Sequence, residues 1–268
     1  MASTLTLPIS TQALAKLCKW RVVCLMLITA AVGMSLTPSI YWRIDQCVLG
    51  LLGIALAACS GGICNQIFEQ NIDAEMSRTK HRPLVKSQIS QSTAYIISCV
   101  FLILSGFILY VHVNPTTYYL TFITMFGYSV IYTKLLKPRT CQNIVIGGLF
   151  GAMPPLLGWT ALTGTISIHP IILVAIIFTW TPSHFWALAL TKVEDYEKTN
   201  LPMLPVTHGI ACTQVHILAY TVLLIITTQL PTILTLSSYI YSIGVNILNA
   251  WLFHSMWRIY QNPSYTHC

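Results

Sequence analysis

Apolar runs long enough to cross a bilayer recur along the chain at about 21–40, 47–68, 91–113, 116–136, 142–163, 169–190, 213–231 and 232–257. A transmembrane helix needs about 20 predominantly apolar residues. The pattern therefore predicts eight spans, an all-α polytopic bundle, with 1–268 forming a single integral membrane domain. Asn114-Pro115, Gly164 and Pro231 fall at the joins expected between runs. Pro154-Pro155 and Pro182 fall inside runs, where they kink helices whose neighbours satisfy the freed backbone.

Composition agrees, with 55% hydrophobic and 8% charged residues, against roughly 25% charged in a soluble domain. The nine cysteines include no C-x-x-C pair and mostly sit in or beside apolar runs. They read as small apolar residues and not as disulfides or metal ligands. The opening MASTLTLPISTQALAKLCKW has no signal-type apolar core with a cleavage site, so no cleaved secretory signal is expected.

Positive charge changes the picture from a count of spans to an orientation. Lys16, Lys19 and Arg21 precede the first run, and Arg78, Lys80, Arg82 and Lys86 follow the second. Lys134, Lys137 and Arg139 follow the fourth, Lys192 and Lys198 the sixth, and Arg258 the last; Arg43 alone falls on the other side. Such one-sidedness marks cytoplasmic loops and predicts that both termini are cytoplasmic. The formal +7 is then topological, and no nucleic-acid partner is expected.

The seven acids are more concentrated still. Glu69, Asp73 and Glu75 end the second run, Glu194, Asp195 and Glu197 follow the sixth, and Asp45 stands apart. This placement suggests two similar four-helix halves, each presenting a polar loop to one face. In NQIFEQNIDAEMSRTKHRPLVK, Asn65, Glu69 and Asp73 stand four residues apart, which makes a row on one helical face. At 1.5 Å rise per residue the row is about 12 Å long, too long for one ion but suited to Mg²⁺ ions bridged by a diphosphate. Arg78, Lys80, Arg82 and Lys86 follow within reach of phosphate oxygens, although cations that snorkel and fix topology would look the same.

The second acidic stretch, TKVEDYEKTNLPMLPV, could hold a further metal through Asp195 or be a solvated loop. Between the two, YTKLLKPRTCQNIVIGG places Tyr132, Lys134, Lys137, Arg139 and Asn143 on the same face, where cations could hold diphosphate oxygens or act as membrane anchors. His184, in TPSHFWALAL, lies inside the sixth run and needs a polar partner, either substrate or a neighbouring carbonyl.

At these residues the sequence resembles the UbiA superfamily of intramembrane prenyltransferases, and within it the branch that modifies haem. NQIFEQNID with MSRTKHRPLVK is similar to its first aspartate-rich motif and basic tail. YTKLLKPRT with NIVIGGLFGAMPPLLGW is similar to its central signature, and PSHFWALAL with DYEKTNLPMLPV to its second. PMLPV and HFWALAL separate the haem branch from the quinone branch. The resemblance implies that Asn65, Glu69 and Asp73 hold Mg²⁺ and diphosphate, that Asp195 serves a second metal site, and that Arg78, Arg82, Lys137 and Arg139 bind phosphate; Lys80, Tyr132 and Asn143 are further candidates for diphosphate binding from their place on the same face. His184 and Tyr196 become candidate contacts to the acceptor. Gln66 stands where the wider superfamily often has an acid, Pro138 where a basic residue is common, and Asn200 where glycine is usual. The family fold has nine spans, so one fewer is expected here.

The implied reaction takes a farnesyl group from farnesyl diphosphate to a vinyl group of haem b, giving haem o, in a bacterial inner membrane in preference to a mitochondrial one. Membrane lipid is an expected partner, together with a downstream haem-modifying enzyme or cytochrome oxidase assembly. Prenylation of an aromatic quinone precursor is the neighbouring alternative. A cation-coupled transporter would place acids at the bilayer midplane, whereas all seven lie at or beyond run ends.

Overall fold

The computed structural model describes residues 10–261; Cys268 and the first nine residues, part of the leader segment considered above, lie outside them. Each of the eight apolar runs holds a helix, with 36–38 in the first and 234–238 in the last lying outside it. The chain forms α1 (Thr11–Leu17), α2 (Trp20–Ser35), α3 (Ile44–Phe68), α4 (Gln70–Glu75) and α5 (Gln91–Phe107). Next come α6 (Pro115–Phe126), α7 (Asn143–Ala152), α8 (Pro154–Thr163) and α9 (Ile168–Leu190). The short α10 (Val193–Lys198) and α11 (Leu204–Thr207) lead to α12 (Gly209–Ile233) and α13 (Tyr239–Gln261). No strand occurs among the described residues.

By length and apolar composition, five helical segments can cross a membrane: α3, α5 with its extension to Val113, α7 with α8, α9 and α12. The pair α1–α2, bent by 60°, makes a sixth. The runs at 115–136 and 239–261 are helical at the expected places, but carry several polar side chains, among them Lys134, Asn246, Asn249 and Arg258. Outward-facing side chains such as Ile103, Ile243, Ile247 and Trp251 are exposed, as expected where the solvent is lipid. The protein is an integral membrane protein.

The helix breaks have local causes. Met153 alone separates α7 from α8, and the two prolines after it begin α8. Pro182 leaves α9 unbroken, with Thr181 and Ser183 hydroxyls donating to the carbonyls of Ile177 and Trp180 at 2.7 and 3.0 Å. The join expected at Pro231 lies later. Pro231 is inside α12, and the chain turns where Thr235 adopts a left-handed φ of 56° and Leu236 N–H reaches Pro231 O at 2.8 Å. A proline is tolerated in a membrane helix when the freed carbonyls find other partners.

α3 is the hub, packing on α2, α5, α6 and α8, while α9 packs on α7, α8 and α12, and α12 carries α13. A Cβ on Gly33 would lie 2.0 Å from Pro155 O, and one on Gly158 would lie 1.9 Å from Ala30 O. The α2–α8 crossing therefore brings backbone to backbone, the small-residue packing that replaces the hydrophobic effect between helices in lipid. Polar contacts hold α13, with Asn249 donating to the Thr228 hydroxyl at 2.9 Å and Gln214 to Ile259 O at 2.8 Å. All described cysteines are free thiols.

One apolar cluster positions the functional end. Met76 of the first polar loop, Ile144, Trp186, Leu201, Met203, Leu204 and Ile217 are buried together, with Tyr196 packed against them. The two acidic loops, far apart in sequence, thus share one end of the bundle.

Candidate active site

The carboxylate row survives a helix break. α3 ends at Phe68 and α4 begins at Gln70, yet Glu69 N–H donates to Asn65 O at 3.0 Å and Asp73 N–H to Glu69 O at 2.8 Å. These i to i+4 bonds keep Asn65, Glu69 and Asp73 on one face, and all three are at most 3% exposed. Glu75 is exposed.

Each member of the row meets a cation, and Glu69 meets two. Lys137 Nζ lies 2.5 Å from Glu69 Oε1, Arg82 pairs with Asp73 and lies 3.8 Å from Glu69 Oε2, and the Lys19 ammonium donates to Asn65 Oδ1. Asn65 Nδ2 in turn donates to the Thr133 hydroxyl at 3.0 Å, and Lys19 Nζ lies 3.4 Å from Tyr128 Oη. Burial pushes the Asp73 carboxyl up from its ordinary pKa, against the opposing pull of Arg82. Lys137 and Arg82 balance the two carboxylates, and Lys19 adds a third basic group beside them, an arrangement suited to a polyanion.

Local folding delivers each cation. Lys19 has a left-handed φ of 55° at the bend between α1 and α2, which turns its side chain back toward α3. Arg82 sits in the turns after α4, fixed by Thr79, whose hydroxyl donates to Asp73 O at 3.0 Å, and by its own N–H to Thr79 O at 2.9 Å. Lys137 follows a stretch of π-helical turns, Gly127–Leu136, with its N–H on Tyr132 O at 2.9 Å. Such widened turns recur at functional sites.

The other sequence candidates separate into two groups. Asp195 comes to the first loop, where Ser77 Oγ donates to its Oδ2. Tyr132 stacks on Tyr128 at 5.7 Å between centroids, and Asn143 is fully buried with its Nδ2 on Thr140 O at 2.6 Å and its Oδ1 without a partner. Arg78, Lys80 and Arg139 are exposed and pair with no carboxylate among the described residues. His184 stacks on Trp180, 4.2 Å between centroids, within α9.

Sequence reasoning missed two participants. Lys19 reads as a topological marker from sequence alone, because nothing local shows that the chain bends beside it. Gln66 reads as a lost acid, but its Nε2 donates to Lys16 O and Leu17 O at 2.9 and 2.7 Å. An ionised carboxylate could not make those bonds, so the amide here clamps the end of α1.

An amide and two carboxylates offer only oxygen donors, the set that Mg²⁺ takes together with substrate phosphates. Among the described residues no three His, Cys, Asp or Glu side chains converge into a ready-made metal site. The donors therefore fit a metal that arrives with a diphosphate better than one held by protein alone.

The UbiA prenyltransferase family description matches residues 26–267. Protoheme IX farnesyltransferase 2 of Vibrio campbellii is 46% identical over 92% of this chain and 82% of its own length. A structure of digeranylgeranylglyceryl phosphate synthase superposes with a TM-score of 0.79 at 19% identity, covering 96% of this chain and 91% of that one. A UbiA homolog from Archaeoglobus fulgidus bound to DMAPP and Mg²⁺ superposes at 0.71 with 16% identity, covering 92% and 85%.

Proposed function

The chain belongs to the UbiA prenyltransferase family, and on that premise we propose that it is a protohaem IX farnesyltransferase, moving farnesyl from farnesyl diphosphate to a vinyl group of haem b. Water enters and diphosphate leaves, giving haem o. The observation that carries the chemistry is the buried Asn65, Glu69, Asp73 row faced by Lys19, Lys137 and Arg82. The acceptor follows from the likeness to protoheme IX farnesyltransferases over most of the chain.

Asn65, Glu69 and Asp73, with Asp195 on the adjoining loop, would hold Mg²⁺, which supplies Lewis-acid neutralisation of the leaving diphosphate. Lys137, Arg82 and Lys19 turn from the carboxylates toward phosphate oxygens, so charge building on the leaving group meets preorganised cations. Arg78, Lys80, Arg139, Tyr132 and Asn143 are the further candidates for holding the same oxygens. The carbon–oxygen bond at farnesyl C1 then breaks, C1 joins the terminal vinyl carbon, and hydroxide from water adds to the inner one, releasing a proton. The apolar spans take the farnesyl tail, with His184 and Tyr196 as acceptor contacts. No side chain forms a covalent bond with substrate.

The whole chain acts as one integral domain, with both polar loops and both termini on the cytoplasmic side of a bacterial inner membrane. Its product passes to a downstream haem-modifying enzyme or to oxidase assembly. Chelation tests the metal-dependent reading: haem o formation in membranes stops in excess chelator and returns with Mg²⁺. Undiminished turnover under chelation contradicts it.

A further inference from the structure

Lys19 and Arg82 have a second side. They also line a cleft of about 410 Å³ together with Lys16, Arg21, Arg78 and His81, and none of Asn65, Glu69 and Asp73 is among its lining residues. Six basic side chains meet there from two segments far apart in sequence, and no acid is among the lining residues. Membrane-anchoring charge explains why cations lie on one side of a bilayer. It does not explain why they converge on one concavity.

The cleft is built. Ser10 caps α1 through the Ala13 N–H at 3.1 Å, and Gln66 clamps the carbonyls of Lys16 and Leu17. On the opposite wall Gln70 donates to Leu84 O at 3.1 Å, with Pro83 and Leu84 buried. Its lip is apolar: Trp20 and Val22 also line it and are exposed, with the Arg21 guanidinium 5.7 Å from the Trp20 ring centre. Basic and aromatic side chains lining one cleft suit a ligand with an anionic edge and an apolar body.

We propose that this cleft binds the two propionate carboxylates of haem b, apart from the diphosphate. Arginine forks match carboxylates bidentately, and Arg21 presents one beside Lys16 and His81. The vinyl groups lie on the other edge of the macrocycle, so carboxylates held here leave the reacting edge free. The walls shared with the row through Lys19 and Arg82 keep both substrates together. The inference rests on haem b being the acceptor. The phosphate headgroup of an anionic lipid offers similar oxygens, and the test separates the two.

Lys16→Gln, Arg21→Gln, His81→Gln and the triple variant are compared with the unaltered chain in vesicles of phosphatidylcholine with and without phosphatidylglycerol. Initial rates are measured with haem b, with its dimethyl ester and with varied farnesyl diphosphate. The unaltered chain should prefer haem b over the ester. The triple variant should lose that preference, its KM for haem b rising about tenfold while its KM for farnesyl diphosphate and its kcat stay within about twofold. A preserved preference, or a parallel rise in KM for farnesyl diphosphate, overturns the proposal. So does loss of phosphatidylglycerol activation alone, which would make the cleft a lipid site. If the unaltered chain turns over no haem, the functional reading fails by itself. Spectral titration of haem b then decides the cleft: tighter binding than to the triple variant upholds it, and equal binding overturns it.

Discussion

Glu69 is the residue on which most of the site's charge converges, since both Lys137 and Arg82 approach it. Glu69→Gln keeps shape but removes the anion, so a loss of about 3 to 4 kcal/mol in transition-state stabilisation is expected, comparable to removing an oxyanion-hole donor. That is roughly a hundredfold to a thousandfold in rate. Glu75→Gln, at an exposed position off the row, should change rate little, and equal rates for the two folded variants would show the row to be structural only. Gln66 is the converse case. Glu at this position would restore the acid common in the superfamily, yet set a carboxylate against two carbonyl oxygens, leaving buried acceptors unpaired at about 1 to 3 kcal/mol. Lower melting temperature and at least a tenfold slower reaction are expected for Gln66→Glu; unchanged stability with higher activity would make position 66 a metal ligand. The row itself was legible because a four-residue spacing fixes a helical face before any packing is known. The partners of that row were not, because Lys19 and Lys137 reach it only through tertiary contacts separated by 46 and 68 residues.

Among the elements, the eight helical runs were legible from apolar length alone, and their ends at Phe68, Val113, Leu136, Thr163 and Leu190 agree with the runs. The bend between α1 and α2 was not, because Lys19 is neither glycine nor asparagine and its left-handed backbone is imposed by the clamp on α1. The turn after α12 was misplaced to Pro231 for a related reason: in lipid, neighbouring groups make an interior proline tolerable. The α2–α8 crossing gives the most direct test of packing. Gly158→Leu would drive a side chain into Ala30 O, already 1.9 Å from the first added carbon, so destabilisation of about 3 kcal/mol is expected from overpacking. Thermal unfolding in detergent should show it, and an unaltered melting temperature would mean that the two backbones are not in contact.

Taken as a whole, the molecule places its buried charge at one end of an otherwise apolar bundle, which suits a donor with a polyanionic head and a hydrocarbon tail. Motif strings carried the family, and the folded chain shows how two loops separated by four helical runs come to share a face: Met76 and Tyr196 pack in one cluster, and Ser77 meets Asp195. The acceptor is written less plainly: Trp186, Ala189, Leu190, Met203 and Leu204, from the two strings whose resemblance points to haem, are buried in one apolar cluster. An acceptor competition therefore tests the central claim most directly. Membranes containing the full chain are given farnesyl diphosphate, Mg²⁺, haem b and an aromatic quinone precursor together, and all products are identified by mass. The account predicts haem o as the prenylated product, with the aromatic precursor recovered unchanged. A prenylated aromatic acid beside unmodified haem b would contradict it.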